Sequence, residues 1–321
     1  MNDMMGGIFG ITPPDDSPCA RFTESPRCAF VSSGRAALAC LLENMPRPRR
    51  VWVPRMVCDT LLQPLHRAGL SVHRYGCDAQ FTPLLPDDVA SDDLLILVNY
   101  FGLTGKAVEE AAAAAPCPVA VDATTALYAD TPLPAFYSLR KFLPVPDGGV
   151  ACAPFALHAL PVETDDSTAR LRPMHLRAAQ GAAAAYAAAE AAEATLDAPA
   201  KRLSPQTRQL LQGIDTAAAA RRRCENYRTL HRALGDLNRL ELPDEAPSAP
   251  LCYPLVSGIP DLRDSLIDAG IALPLYWPEV IAATHAAATE NKLARTLLPL
   301  PLDQRYTEAD MQRLIRHICG C

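Results

Sequence analysis

Between about residues 32 and 153 the chain alternates short apolar runs with helical stretches, and few folds accommodate that rhythm. Residues 51–54, 71–75, 94–101, 118–123, 135–139 and 149–153 read as strands, and residues 34–43, 57–68 and 108–115 as helices between them. Strands apolar on both faces, joined through helices, predict a mostly parallel sheet covered on both sides. Pro64 falls inside the second helix and predicts a kink or a shortened element, because proline lacks an N–H and crowds the preceding turn.

Beyond Cys152 the strand signal fades. The alanine-rich stretch 178–194 is the one candidate for a membrane span, but it carries Gln180, Glu190 and Glu193 and almost no Leu or Ile, so it reads as a helix outside the bilayer. A second helix opens at Ser204-Pro205 and stops at Gly235, with Leu210, Leu211, Ile214, Tyr227, Leu230 and Leu234 at helical spacing. Read as one long helix, it links two domains. From about Pro247 a small α/β unit is expected: strand 251–257, helix 261–269, strand 271–276 and a closing helix. The last opens with the capping-box pattern Thr307-Glu308-Ala309-Asp310 and carries Met311, Leu314, Ile315 and Ile318 on one face. The division expected is an N-terminal segment with a large α/β domain over 1–203, and the linking helix with a small C-terminal α/β domain over 204–321.

With 321 residues, 49% of them hydrophobic, the chain can bury a sizeable core. Its 36 acidic and 30 basic residues give a charge of −6, and no long basic run offers a footprint for nucleic acid. The cluster Arg221 to Arg223 fits a solvated helix face, an anionic ligand or a neighbouring subunit. Eleven cysteines without a CxxC or a Cys/His pair at zinc-ligand spacing predict reduced thiols and no metal centre. The N-terminus has neither a basic leader nor a long apolar run, so a cytoplasmic protein is expected.

Chemistry concentrates in two segments. Asp122 ends the apolar run PVAVD, and Lys141 lies in FYSLRKFLPVPDGGV just downstream. Ligands of open α/β sheets gather outside the carboxyl ends of strands, where Asn99 also falls. Ser32-Ser33-Gly34-Arg35 stands at the start of a helix, where free N–H groups and the helix dipole suit an anion.

These pieces, with GGIFGI, SSGRAAL, VWVPRMVCDTLLQPLHRAG, LVNYFGLTGK, VAVDATTALYA, RRRCENYRTL, ALPLYWPEV and LLPLPLDQRYTEADMQRLI, occur in the order in which they resemble the DegT/StrS-type aminotransferases of sugar biosynthesis. That family has the fold-type-I pyridoxal-phosphate (PLP) architecture: a large domain with a mostly parallel sheet and a smaller C-terminal α/β domain. The resemblance implies that Lys141 bonds the cofactor aldehyde and shuttles protons, and that Asp122 faces the pyridine nitrogen. By the same resemblance Ser33, Gly34 and Ser138 take the phosphate-binding positions, Arg35 stands where the family commonly has a phosphate-binding threonine and adds a charge-assisted contact, and Asn99 would reach the ring hydroxyl. Thr125 stands where the family has Gln or His, and Cys58 where it stacks an aromatic side chain on the ring. Ala200-Lys201 replaces an Asn-Tyr that reaches the partner subunit. The implied activity is transfer of an amino group from an amino acid to a keto-sugar or similar small polar keto substrate, by a homodimer. The alternatives are a catalytically weakened scaffold or binding subunit, and PLP-dependent elimination or dehydration.

Overall fold

The computed structural model describes residues 4–197 and 199–320; the first three residues of the N-terminal segment, Ala198 and the last cysteine, Cys321, lie outside the described residues. The first half of the chain comprises β1 (Cys28–Val31), α1 (Gly34–Asn44), β2 (Arg50–Pro54), α2 (Leu62–Arg67), β3 (Ser71–Cys77), β4 (Pro83–Leu84), β5 (Leu94–Val98), α3 (Gly105–Ala114), β6 (Val119–Ala123), β7 (Ala135–Ser138) and β8 (Gly149–Cys152). They form one sheet in the order β1-β8-β7-β6-β5-β2-β3-β4. The five strands from β3 to β7 in that order run parallel, β4 closes one edge antiparallel, and β8 then β1 add antiparallel pairings at the other. Every residue of β5 and β6 is buried, as a parallel sheet covered on both faces requires. One core, with Leu38, Leu41, Leu65 and Ile96, fills one face, and another, with Leu95, Leu97, Val121 and Phe142, fills the other.

Register decides where the site lies. Val98 pairs with Asp122, Ser138 with Gly149, and Gly149 with Val31. The carboxyl ends of β5, β6 and β7, the start of β8 and the entry to α1 therefore share one edge of the sheet.

Several elements differ from the sequence reading. β1 is an edge strand of four residues with alternating burial, too short for periodicity to reveal. The strand at 94–101 ends at Val98, because the chain turns through a left-handed Phe101, φ 60°. The helix expected over 57–68 is a 3₁₀ turn at Asp59–Leu61 followed by α2, with Pro64 in the first turn, where a missing N–H costs little.

The alanine-rich stretch is two helices, α4 (Arg172–Gln180) and α5 (Ala182–Ala194), parted at Gly181 with φ 87°. The linking helix is likewise two, α6 (Pro205–Leu211), capped by Ser204, and α7 (Thr216–Leu234). Asp215 starts α7 afresh by accepting hydrogen bonds from the Ala217 and Ala218 amides at 3.0 and 2.9 Å.

The remainder holds β9 (Tyr253–Leu255), α8 (Leu262–Asp268), α9 (Pro278–Ala283), α10 (Thr289–Thr296), β10 (Leu298–Leu300) and α11 (Glu308–Cys319). β9 pairs antiparallel with β10, while residues 271–276 form no strand beyond a bridge from Ile271 to Met5. The capping box of α11 is formed, and Met311, Leu314 and Ile318 pack with Tyr227, Leu230 and Leu234 of α7 in a third core.

Two charge and thiol expectations are corrected. Arg223 is fully buried, whereas Arg221 and Arg222 pair with Asp215 and Glu225 at the surface. Cys28 and Cys152 are joined as a disulfide, because the β1–β8 register sets them opposite one another with Cα atoms 4.3 Å apart. Among the described residues no helix is long and apolar enough to cross a membrane.

Candidate active site

Asp122 is buried at the end of β6, and its Oδ1 accepts a hydrogen bond from the Thr124 amide at 2.8 Å. Thr124 also receives Lys141: the ammonium nitrogen donates to its Oγ1 at 3.3 Å. One threonine thus ties the lysine to the strand end that carries the carboxyl. Burial raises the pKa of Asp122, with the Lys141 charge and the Thr124 hydrogen bonds opposing that rise. A carboxyl in that state gains most from a cationic partner facing it.

The start of α1 closes on the same point. A Cβ on Gly34 would lie 3.1 Å from the Thr124 methyl and 3.6 Å from Ser138 Cβ, so Gly34, Thr124 and Ser138 are in contact range. The Gly34 and Arg35 amides open the helix and have no intrahelical acceptor. Ser33 caps the helix, its Oγ accepting from Ala36 N at 3.1 Å. Gly149 makes the approach possible: a Cβ there would fall 2.1 Å from the Ser33 carbonyl oxygen.

The structure thus brings Asp122, Lys141, Ser33, Gly34 and Ser138 to one place. The other sequence-predicted residues have different local partners. Asn99 Oδ1 accepts from the Thr104 amide at 3.2 Å, and Thr125 donates to the Asn99 carbonyl at 3.1 Å while accepting from the Phe101 amide at 3.2 Å. Both shape the loop after β5. Cys58 follows β2, its thiol hydrogen-bonded to the Thr60 hydroxyl at 2.8 Å. Arg35 extends away from the helix start to Gln63 Oε1 at 3.0 Å and Glu193 Oε1 at 2.6 Å. Asp147, before the Gly-Gly turn, is a structural anchor: Arg170 donates to it at 2.9 and 2.7 Å, and the Thr207 hydroxyl donates to its other oxygen.

Two residues of this region were given no part in the site by the sequence. Thr124 had a signal, since an aspartate at a strand end commonly accepts from the amide two residues on. Glu193 had none, because its pairing with Arg35 spans 158 residues.

The open, mostly parallel sheet, with an aspartate ending one strand and a lysine just after the next, is the fold that the sequence resemblance implies. Comparison with solved structures gives the same fold. A DegT DnrJ EryC1 StrS aminotransferase from Brucella abortus matches with a TM-score of 0.62 at 18% identity, over 91% of this chain and 85% of that one. The sugar aminotransferase CalS13 from Micromonospora echinospora matches with a TM-score of 0.60 at 18% identity, over 92% and 87%. The GDP-4-keto-6-deoxy-D-mannose-3-dehydratase of E. coli, with bound hydrated PLP, matches at 0.58 and 12% identity, over 91% and 87%. No family model and no curated protein matches the sequence.

Proposed function

We propose that the protein is a PLP-dependent aminotransferase that transfers an amino group from an amino-acid donor to a keto-sugar or similar small polar keto substrate. The observation that carries this reading is the joining of Lys141 to the Asp122 strand end through Thr124, beside the opening of α1. The donor set fits the cofactor: an amine for its aldehyde, a buried carboxyl for its ring nitrogen, and helix-start amides with Ser138 for its phosphate. PLP supplies an electron-accepting ring to such a site. Lys141 holds the cofactor and then carries a proton to and from the substrate carbon, with Thr124 orienting its amine between transfers. Asp122, out of water, would favour a positive charge on the ring nitrogen of the bound cofactor. Asn99 and Thr125 fix the loop after β5, and Asn99 and Cys58 would approach the cofactor only as the sequence resemblance implies.

Purified protein with added PLP is expected to develop a visible absorption band that borohydride bleaches, leaving a pyridoxyl mass on Lys141. Lys141→Ala is expected to lose both the adduct and the formation of keto acid from glutamate with a keto-sugar acceptor. No band and no adduct under saturating PLP would sink the reading. The fold shared with the dehydratase favours elimination as the second reading, distinguished by a dehydrated sugar without keto acid from the donor.

A cytoplasmic homodimer is part of the same proposal. Leu160 and Val162 are exposed apolar side chains close together in the chain, which suits a second copy. Light scattering that gives a monomer at micromolar concentration counts against it.

A further inference from the structure

Arg35 and Arg140 stand next along the chain to Gly34 and Lys141, and both reach the same carboxylate. Arg35 Nη2 donates to Glu193 Oε1 at 2.6 Å, and Arg140 Nη2 pairs with Glu193 Oε2. The arginine side chains are only 14% and 31% exposed, so one carboxylate serves two partly desolvated guanidinium groups and leaves a net positive charge. Two convergent guanidinium groups present donors suited to the oxygens of a phosphate dianion better than to one carboxylate.

The helix that carries Glu193 has little else to hold it there. In α5 only Ala185 is buried, Tyr186 is 66% exposed, and the helix packs chiefly against α4 and the short turns flanking it rather than against the sheet. An alanine helix that buries so little gains small packing energy from staying in place. Its C-terminal end is fastened to Arg35 and Arg140 through Glu193.

We propose that Arg35 and Arg140 form a seat for a phosphate monoester, and that Glu193 is an internal stand-in for that phosphate, a latch that leaves with α5 when the phosphate arrives. The proposal rests on the PLP reading only for the bearer of the phosphate, which is the cofactor or a phosphorylated substrate. A latch that holds the seat nine-tenths of the time lowers the apparent affinity for phosphate about tenfold.

The test measures binding of inorganic phosphate, PLP and phosphate-free pyridoxal to the wild type and to Glu193→Ala, by calorimetry and absorption. The variant is expected to bind inorganic phosphate about tenfold more tightly and pyridoxal unchanged. PLP tightening by the same factor assigns the seat to the cofactor. PLP unchanged with phosphate still tightened assigns it to the substrate. Addition of phosphate to the wild type is expected to speed amide exchange across Ala182–Ala194. Equal phosphate affinity in both proteins, or pyridoxal strengthened as much as phosphate, overturns the proposal. Glu193→Gln, which keeps the side-chain shape, gives the same reading if the alanine variant folds poorly. Loss of the Lys141 adduct with the phosphate effect intact would count against the PLP reading alone.

Discussion

At the scale of single residues, Asp122 is a carboxyl held out of water. Burial raises its pKa in the folded protein above that of the unfolded chain. Between those two values the folded protein keeps a proton that the unfolded chain has lost, so stability falls as pH rises through that window and stays lower above it. Asp122→Asn has no such proton to lose. Cofactor-free variant and wild type, compared by urea unfolding, are expected to diverge in the variant's favour from about pH 4 upward, the ordinary carboxylate range. The opposite sign would mean that the Lys141 charge outweighs burial. The same substitution is expected to weaken retention of PLP, since an amide cannot balance a charged ring nitrogen. Lys141 and Asp122 were legible in the sequence because strand ends and a Gly-Gly turn are local signals. Arg35 was legible as a cation near an anion site, but its engagement with Glu193 depends on where an alanine helix happens to lie, which no local pattern encodes.

At the scale of elements, the approach of α1 to β8 decides whether the helix opens onto the site. A Cβ at Gly149 would meet the Ser33 carbonyl oxygen at 2.1 Å and Gly34 N at 2.8 Å, both backbone atoms that cannot swing aside. Gly149→Ala is expected to cost about 3 kcal/mol in chemical unfolding, within the range of backbone-clash substitutions. It is also expected to reduce PLP affinity by displacing Gly34. Wild-type stability with wild-type PLP binding would show that α1 can retreat without consequence. The central strands and α11 were readable because burial on both faces and a capping box each leave a full local pattern. The interruptions were not. Gly181 and Gly213 sit in sequences whose alanines and leucines favour continuous helix, and Asp215 acts as a cap only once the chain has turned there. β1 and β10, of four and three residues, are defined by their partners rather than by their own periodicity.

At the scale of the whole molecule, the segments around β9 and α11 are fastened to the lysine loop by a buried cation. Arg223 of α7 is fully buried and forms no salt bridge among the described residues. Instead it donates to the carbonyls of Pro250 at 3.0 Å, Leu251 at 3.1 Å and Phe142 at 3.3 Å and to Gln304 Oε1 at 3.0 Å, with its guanidinium 4.8 Å from the Phe142 ring centroid. Phe142 follows Lys141 directly, so Arg223 couples the lysine loop to the segment before β9 and the loop before α11, the latter also held by the Gln304 side-chain amide, which donates to the Phe142 carbonyl at 2.7 Å. Burial lowers the pKa of Arg223, and the nearby Asp303 charge works against that shift, so carbonyl dipoles are the main compensation for its desolvation. Arg223→Met keeps much of the volume and removes every donor, leaving several buried acceptors unpaired at an expected cost of about 3 kcal/mol or more. Because those acceptors belong to both parts of the molecule, calorimetry is expected to separate one melting transition into two, the lower assigned to the C-terminal unit. A single transition merely shifted to lower temperature would mean that the third core, built from α7, α8 and α11, already melts together with the sheet and that Arg223 contributes stability without coupling.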